Sequence, residues 1–209
     1  MQNTSGLRSI LSHHGAYRLF RKLTGSDKLH RILVEQYIRP CPGDVVLDIG
    51  CGPADILAWM PEVRYYGLDL SADYLAAARS RYPDRGSFTC GSVDDLDPAG
   101  MPPCDIVLAL GVLHHLDDGQ VVGLLAKVRT LLKPGGRFIS YDPCFAQRQH
   151  VVARWIHRCD RGRNVRFDGP MASLAGHALS GVRHVVRHDM CRVPSTVIVL
   201  QYTAEAAGG

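Results

Sequence analysis

The sequence has no apolar run long enough to form a membrane-spanning helix, and its first residues do not resemble a signal peptide. The longest uninterrupted apolar stretch near a predicted strand runs from Ile106 to Leu113, far short of the roughly 20 residues that cross a bilayer. Met1 to Ser5 lack the charged and then apolar layout of an export signal. We therefore expect a protein that is neither exported nor anchored.

Cysteine pairs of the Cys-x-x-Cys type are also absent, although the chain has seven cysteines. Their odd number and wide spacing predict neither a zinc site nor a redox motif. Reduced thiols in a cytoplasmic protein are the simplest interpretation. His13 and His14 have no acid or cysteine at metal-ligand spacing, so we place them on a helix face and predict no metal.

Charge is modest and unevenly distributed. The 209 residues carry a net charge of +4 with neutral histidines, and 46% of them are hydrophobic, values typical of one soluble globular domain. This charge is too small to predict nucleic-acid binding by itself. Five arginines nevertheless fall between Arg154 and Arg166, and arginine forks suit carboxylates and phosphates. They predict an anionic small-molecule ligand; a solvated helix face, partly paired with Asp160 and Asp168, is the alternative.

What the sequence does have is a regular alternation of strand and helix signals from about residue 44, which predicts a parallel sheet covered on both faces. Two runs near the C-terminus are separated only by a turn around Pro194, so they must pair antiparallel. We predict an α/β fold with a mostly parallel sheet closed by one antiparallel strand. The predicted strands lie near 44–49, 64–69, 87–90, 104–110, 136–142, 182–186 and 195–202. The predicted helices lie near 54–60, 72–82, 118–132, 149–159 and 171–180, after two N-terminal helices, with Ser26, Ser71 and Asp117 as N-caps.

The clearest chemical signal is the stretch Val45-Val46-Leu47-Asp48-Ile49-Gly50-Cys51-Gly52. It has the pattern of a buried strand that ends in a tight glycine turn, where backbone approaches a ligand closely. Asp69 ends the next apolar run, and an acid there can accept hydrogen bonds from both ribose hydroxyls. These features predict a nucleoside cofactor. Asp55 stands where a dinucleotide site has its third glycine; an acid there would repel a pyrophosphate, which disfavours NAD.

Four ordered blocks extend this pattern. They are Asp48 to Gly52 (Asp-Ile-Gly-Cys-Gly), Gly67 to Ser71 (Gly-Leu-Asp-Leu-Ser), Cys104 to Leu116 and Leu131 to Phe138. In this order and at this spacing they resemble the successive motifs of class I S-adenosylmethionine-dependent methyltransferases, over about half of the chain. The resemblance implies a Rossmann-like, seven-stranded, mostly parallel sheet with an antiparallel last strand and helices on both faces.

The resemblance also implies which residues would bind S-adenosylmethionine. The glycine turn would line the methionine end, and Asp69 would take the ribose. Ser92 stands where the family usually has an acid that meets the adenine amino group; its hydroxyl can still accept that bond, and Asp94 is the alternative. The full predicted set is Asp48, Gly50, Cys51, Gly52, Asp69, Leu70, Ser92, Val93, Leu110, Gly111 and Tyr17, the last beside Phe20 and Arg21 on the first helix.

Three polar residues are candidates for the chemistry. His114 and His115 stand just after the fourth strand, beside the expected methyl position, and an imidazole there could remove the proton of a hydroxyl acceptor. We favour His115 as the one that faces the pocket, with the other histidine capping or packing the next helix. Asp142 follows the fifth strand at the same edge, where it either contacts the acceptor or orients a base, or holds the turn at Pro143.

The sequence thus predicts one methyltransferase domain over 1–209, with a helical lid at 1–40, a cofactor-binding core at 44–142, an acceptor-side insert at 143–181 and a terminal hairpin at 182–203. It predicts methyl transfer to a small molecule, at oxygen of a sugar-like or anionic metabolite. N-methylation of an amino sugar or small amine, or a non-catalytic S-adenosylmethionine-binding protein, is the alternative. The run Leu110-Gly111-Val112-Leu113 replaces the signature of base-amine methylation, which argues against a nucleic-acid acceptor.

Overall fold

The computed structural model describes residues 26–95, 100–159 and 164–206, apart from the side chain of Ser26. Over these residues the strand and helix signals of the sequence produce the predicted α/β architecture. Several predictions concern residues outside the described ranges: the first N-terminal helix with His13, His14, Tyr17, Phe20 and Arg21, and Asp160, Arg161 and Arg163 in the insert.

Seven strands form one sheet. They are β1 Val45–Ile49, β2 Arg64–Asp69, β3 Gly86–Cys90, β4 Cys104–Leu110, β5 Leu132–Pro143, β6 Arg183–Arg187 and β7 Val197–Thr203. Their order is β3-β2-β1-β4-β5-β7-β6. Strands β1 to β5 pair in parallel, whereas β7 runs antiparallel to both β5 and β6. The predicted mostly parallel sheet with a reversed last strand is therefore confirmed.

The helices are α1 Ser26–Ile32, α2 Ala72–Arg81, α3 Asp118–Leu131, α4 Val151–Arg158 and α5 Asp168–Ala178. Helix α1 continues in wider, π-type turns over Leu33–Ile38, and short 3-10 segments occur at Asp55–Trp59, Val93–Asp95 and Leu113–His115. Two of the predicted caps, Ser71 and Asp117, are confirmed, whereas the Ser26 cap depends on a side chain outside the described part of the structure. The Ser71 side chain accepts from Tyr74 N at the start of α2, and Asp117 and Gln120 cap α3 reciprocally.

The core lies on both faces of the sheet because side chains alternate along each strand. All of β1 is buried. Val45, Leu47 and Ile49 pack on the face that α3 and α5 cover, whereas Val46 packs on the face that α1, its π-type continuation and α2 cover. The continuous apolar pattern of this strand therefore reflects a central position between two layers of helices.

The parallel registers bring the carboxyl ends of four strands to one edge. Ile49 lies opposite Leu68 and Ala109, and Leu110 lies opposite Tyr141. The polar residues that follow these positions in the chain therefore share this carboxyl edge, where open α/β sheets bind their ligands.

Two details of the sheet differ from the sequence prediction. Strand β7 lies between β5 and β6, an order that the sequence pattern did not give. Strand β5 begins at Leu132, before the predicted residue 136, because Leu132 pairs with Cys104 ahead of a bulge that brings Arg137 opposite Ile106. In the described part of the chain, no helix is long and apolar enough to cross a membrane.

Candidate active site

The glycine turn after β1 is closed by backbone hydrogen bonds to β2. Gly50 N and Cys51 N both donate to the carbonyl oxygen of Leu68, over 2.7 and 3.0 Å. Gly50 and Gly52 have φ angles of 72° and 53°, in the left-handed region that a side chain disfavours. The turn therefore requires glycine at these two positions.

The glycines of the carboxyl edge differ in what lies beside them. A Cβ on Gly50 would come within 2.5 Å of Val112 Cγ2, so Gly50 packs against the loop after β4. A Cβ on Gly52 would have nothing within 4 Å, and a Cβ on Gly111 would meet only His114 Cε1, at 3.9 Å. Backbone from β1 and from β4 thus presents open surface at the same edge, which suits a ligand that approaches backbone closely.

The segment after the glycine turn is a short 3-10 segment. Ala54 has a left-handed φ of 54°, and Asp55–Trp59 form this segment in place of the α-helix predicted at 54–60. Asp55 is buried and forms an ion pair with Arg81. A pyrophosphate at this turn would lack the α-helix N-terminus that holds it in dinucleotide folds, which agrees with the argument against NAD.

Asp69 is held at the end of β2 by two backbone amides. Its Oδ2 accepts from Gly52 N and its Oδ1 accepts from Ser71 N, each over 2.8 Å. The carboxylate therefore bridges the glycine turn and the cap of α2, and each oxygen retains a lone pair for a ligand hydroxyl. The next residue, Leu70, is 77% exposed and offers apolar surface beside the acid.

Asp48 is 2% exposed at the end of β1. The Tyr65 hydroxyl donates to Asp48 Oδ2 over 2.6 Å, while Oδ1 has no hydrogen-bond partner among the described residues. Burial raises the pKa of the Asp48 carboxyl group to about 7; the Tyr65 hydrogen bond opposes this rise, and the nearby Asp69 carboxylate adds to it. The site thus contains an acid that changes protonation near neutral pH.

Tyr65 is a site residue that the sequence analysis missed. Its ring packs against Phe88 with centroids 5.9 Å apart. Gly67 follows on the same face of β2 and leaves room for this packing, because a Cβ there would come within 2.8 Å of both Phe88 and Cys51 Sγ. The sequence signal that could have identified Tyr65 is a tyrosine two positions before a glycine within a predicted strand. Burial also raises the pKa of the Cys51 thiol, so Cys51 is a neutral packing residue beneath the turn.

Ser92 lies in a turn that its neighbours complete. Ser92 N donates to Asp95 Oδ2 over 2.9 Å, and Ser92 Oγ accepts from Asp94 N over 3.2 Å. Val93 is buried and Asp94 is exposed. Asp95, which the sequence analysis did not single out, therefore shapes this turn, while contacts of Ser92 and Val93 with an adenine remain a prediction.

The loop after β4 joins His114 to Asp142. Asp142 Oδ1 accepts from His114 N over 3.1 Å and pairs with His114 Nδ1 over 2.8 Å. His114 is 8% and Asp142 2% exposed. Burial raises the pKa of Asp142, and the hydrogen bonds from His114 oppose this rise. Two residues that the sequence analysis named separately thus form one buried pair.

His115 lies beside this pair. It is exposed, and its ring contacts that of His114 at a tilt of 40°, with centroids 4.0 Å apart. Gly111 N donates to Tyr141 O over 2.6 Å and so joins the end of β4, after the partly buried Leu110, to β5. The structure therefore brings all three catalytic candidates to the carboxyl edge, with the imidazole of His114 buried and that of His115 exposed.

The described arginines of the insert have different surroundings. Arg154 donates to the carbonyl oxygen of Ala146 over 3.5 Å, and Arg158 is exposed. Arg166 donates to the carbonyl oxygens of Leu113 and Leu116, so the protein itself engages this guanidinium. Among residues 26–95, 100–159 and 164–206, no three His, Cys, Asp or Glu side chains are grouped to hold a metal ion.

The core of the chain is similar in sequence to known methyltransferases. Residues 46–136 match the model of the methyltransferase domain family. An uncharacterized methyltransferase of Synechocystis is 29% identical over 134 residues, 63% of this chain and 59% of that protein. Trans-aconitate 2-methyltransferase of Methylobacterium nodulans is 38% identical over 95 residues, 44% of this chain and 35% of that protein. A tRNA (carboxymethyluridine(34)-5-O)-methyltransferase of Saccharomyces cerevisiae is 27% identical over 128 residues, 60% and 44% of the two chains. The chain thus spans less than two thirds of the length of each of these relatives.

Two solved structures share the fold. The S-adenosylmethionine-dependent methyltransferase SibL in its apo form superposes with a TM-score of 0.73 at 18% identity, over 97% of this chain and 60% of that chain. The mitomycin 7-O-methyltransferase MmcR gives 0.68 at 21% identity, over 97% and 62%. The sheet order, the reversed strand and the glycine turn define a Rossmann-like methyltransferase fold. Within this fold, residues 46–136 are similar to the methyltransferase domain family.

Proposed function

We propose that this protein transfers a methyl group from S-adenosylmethionine to an oxygen atom of a small-molecule acceptor. The observation that carries the proposal is the Asp69 carboxylate, which Gly52 N and Ser71 N hold at the carboxyl edge, each over 2.8 Å. Preoriented in this way, its oxygens can accept hydrogen bonds from two ribose hydroxyls.

The other residues around this acid fit the same cofactor. The open backbone faces of Gly52 and Gly111 suit the methionine moiety, and the exposed Leu70 offers apolar surface for the adenine. When bound, the cofactor supplies an electrophilic methyl group on a sulfonium ion. The contribution of the protein is then to align the acceptor with that methyl group and to exclude water.

A base is needed if the acceptor is a hydroxyl group. We assign it to His115, with the buried His114–Asp142 pair as its support. Asp142 Oδ1 holds both the backbone and the ring of His114, and the contact between the two tilted rings supports His115 in turn. A proton from the acceptor would pass to a ring nitrogen of His115 as the acceptor oxygen takes the methyl group.

One substitution of His115 and one of Asp142 test this assignment. His115→Ala should lower turnover of a hydroxyl acceptor by at least about tenfold, because a general base contributes about 100-fold or more to the rate. S-adenosylmethionine binding should persist in this variant. Asp142→Asn is the matched variant for the His114–Asp142 pair: it removes the carboxylate charge, and its amide oxygen can still accept the hydrogen bond from His114 N. Unchanged turnover in His115→Ala would show that His115 is not the base. N-methylation, the alternative chemistry, predicts that result, because a neutral amine needs no base.

The acceptor class follows from a labelled-methyl assay. Purified protein, S-adenosylmethionine labelled in its methyl group and a panel of hydroxy acids, sugar phosphates, amino sugars and tRNA should give label in a hydroxylated, anionic small molecule. The exposed Arg158 supports the anionic choice. Label in tRNA would contradict the small-molecule proposal. Cofactor binding without transfer to any acceptor would favour the non-catalytic alternative.

A further inference from the structure

Three backbone carbonyl groups of the histidine turn, residues 113–116, accept hydrogen bonds from the insert. A single 3-10 turn is too short to satisfy all its own backbone carbonyls. Asn164 N donates to the carbonyl oxygen of His114 over 3.1 Å. Arg166 donates through Nη1 to Leu113 O over 3.1 Å and through Nη2 to Leu116 O over 2.7 Å. One short segment of the insert therefore holds the histidine turn from outside.

The Arg166 guanidinium is fully engaged in this position. Its Nε donates to Asp118 Oδ1 over 2.8 Å, and its Nη1 also donates to Asn164 O over 3.1 Å. All three guanidinium nitrogens thus have protein acceptors, and the side chain is 12% exposed. The planar fork reaches three carbonyls and a carboxylate at once, which the single ammonium group of a lysine does not.

The backbone of Arg166 is fixed as well. Phe145 N donates to Arg166 O over 2.9 Å, and Asp168 N donates to Phe145 O over 3.1 Å. The rings of Phe145 and Phe167 lie 5.6 Å apart. Residue 166 therefore connects the chain that leaves β5, the start of α5 and the histidine turn, so displacement of one of these segments would displace the others.

We infer that Arg166 is a positioning residue that fixes the histidine turn to the acceptor-side insert. The inference rests on the proposed function, which places this turn in the acceptor half of the site. His114 is held by Asp142 on the sheet side and by Asn164 on the insert side, and Arg166 closes the turn at both of its ends. An acceptor seated on the insert would therefore meet His115 in a fixed geometry.

The test compares the full-length protein with four variants. Arg166→Ala removes the fork, and Arg166→Lys keeps the charge without it. Asp118→Asn removes only the ion pair, whose carboxylate side chain is 75% exposed and so contributes little. Arg129→Ala removes an exposed arginine of α3 and is the matched control. We would measure amide hydrogen exchange over the turn, the ring-proton NMR signals of its two histidines, and S-adenosylmethionine affinity by calorimetry.

Both Arg166 variants should accelerate exchange of the turn amides by at least about tenfold, because local opening of the turn becomes easier. They should also shift the histidine ring signals and change the dissociation constant for S-adenosylmethionine by less than about twofold, a difference of under 0.5 kcal/mol. Asp118→Asn and Arg129→Ala should match the wild type. Should Arg166→Ala not fold, the lysine variant decides alone.

Unchanged turn exchange and ring signals in both Arg166 variants would overturn the inference. A large loss of S-adenosylmethionine affinity in them would overturn its assignment to the acceptor half. A wild-type protein that does not bind S-adenosylmethionine would instead contradict the proposed function, while the exchange comparison would still decide whether Arg166 fixes the turn.

Discussion

At the scale of single residues, the buried acid Asp48 is the strongest electrostatic feature of the site. Its pKa is about 7 in the folded protein against an ordinary value of 3.8. A carboxyl group with a raised folded pKa binds its proton more tightly in the folded state, so the folded state gains stability that is fully present below pH 3.8. That contribution is lost as the pH rises through 7, where the ionised group is buried beside Asp69.

We therefore predict that the free protein loses stability relative to Asp48→Asn as the pH rises from about 4 to 8. The change in the difference of unfolding free energies should be on the order of a few kcal/mol. Urea denaturation of both proteins at a series of pH values measures it. Tyr65→Phe removes the hydrogen bond that opposes the rise, so the pKa of Asp48 should be higher in this variant and its loss of stability should extend to higher pH. A pH-independent difference between Asp48→Asn and the wild type would contradict this account.

At the scale of secondary-structure elements, substitutions of the two glycines in the turn after β1 should affect stability and ligand binding to different extents. Gly50→Ala combines a strained φ of 72° with a Cβ only 2.5 Å from Val112 Cγ2. Gly52→Ala has strain alone, at φ 53°, and its Cβ enters open space. The first variant should therefore lose about 2–4 kcal/mol of stability and the second about 1–2 kcal/mol, as measured by denaturant unfolding.

Two further results bear on the glycine turn. Val112→Ala in the Gly50→Ala background should restore part of the stability, because it removes the methyl group that clashes. Gly52→Ala should weaken S-adenosylmethionine binding by more than its loss of stability suggests, since the new Cβ lies on the open side of the turn. A Gly52 variant less stable than the Gly50 variant would show that the contact with Val112 does not matter.

The elements also show how far the sequence determines this site. The acid and glycines from Asp48 to Gly52 could be placed because a parallel strand and a tight turn leave few alternatives. The orientations of His114 and His115 could not, because neighbours in a single 3-10 turn follow neither the strand nor the helix period. Tyr65 was missed for another reason: it contacts Asp48 across two strands, and periodicity within one segment carries no information on such a pair.

At the scale of the whole molecule, Arg187 at the end of β6 connects the last strands by hydrogen bonds to the π-type continuation of α1. Its Nη1 donates to Tyr37 Oη over 2.7 Å and to Gln36 Oε1 over 3.1 Å. Its Nε and Nη2 donate to Asp189 over 2.7 and 2.9 Å. Lys28 of α1 donates to the carbonyl oxygen of Asp189 over 2.6 Å. Segments far apart in the chain thus close over one face of the sheet.

Arg187→Ala should accordingly destabilise the protein by about 1–3 kcal/mol, because it leaves the hydroxyl group of the buried Tyr37 without this donor. Arg183→Ala, on the exposed edge of the same strand, should change stability by less than about 0.5 kcal/mol. Thermal and urea unfolding measure both. Equal effects of the two substitutions would show that the link to Tyr37 and Gln36 adds nothing.

In the proposed function, acceptor recognition also belongs to the scale of the whole molecule, because it involves the insert as well as the sheet. The relatives named above act on an organic acid in one case and on tRNA in another, according to their names. In the proposed function, the cofactor is held within residues 46–136, which match the methyltransferase domain family. The insert with its arginines, and the histidine turn fixed to it, is therefore where acceptor specificity should be sought.

Calorimetric titration of the purified protein with S-adenosylmethionine, S-adenosylhomocysteine and NAD tests the central claim most directly. We predict that both S-adenosyl ligands bind, that NAD does not, and that Asp69→Ala weakens their binding by at least about tenfold, or 1.4 kcal/mol. Asp73→Ala, at an exposed position of α2, is the matched control and should leave the affinity for both S-adenosyl ligands unchanged. Binding of NAD alone, or S-adenosyl affinity unchanged in Asp69→Ala, would contradict the account.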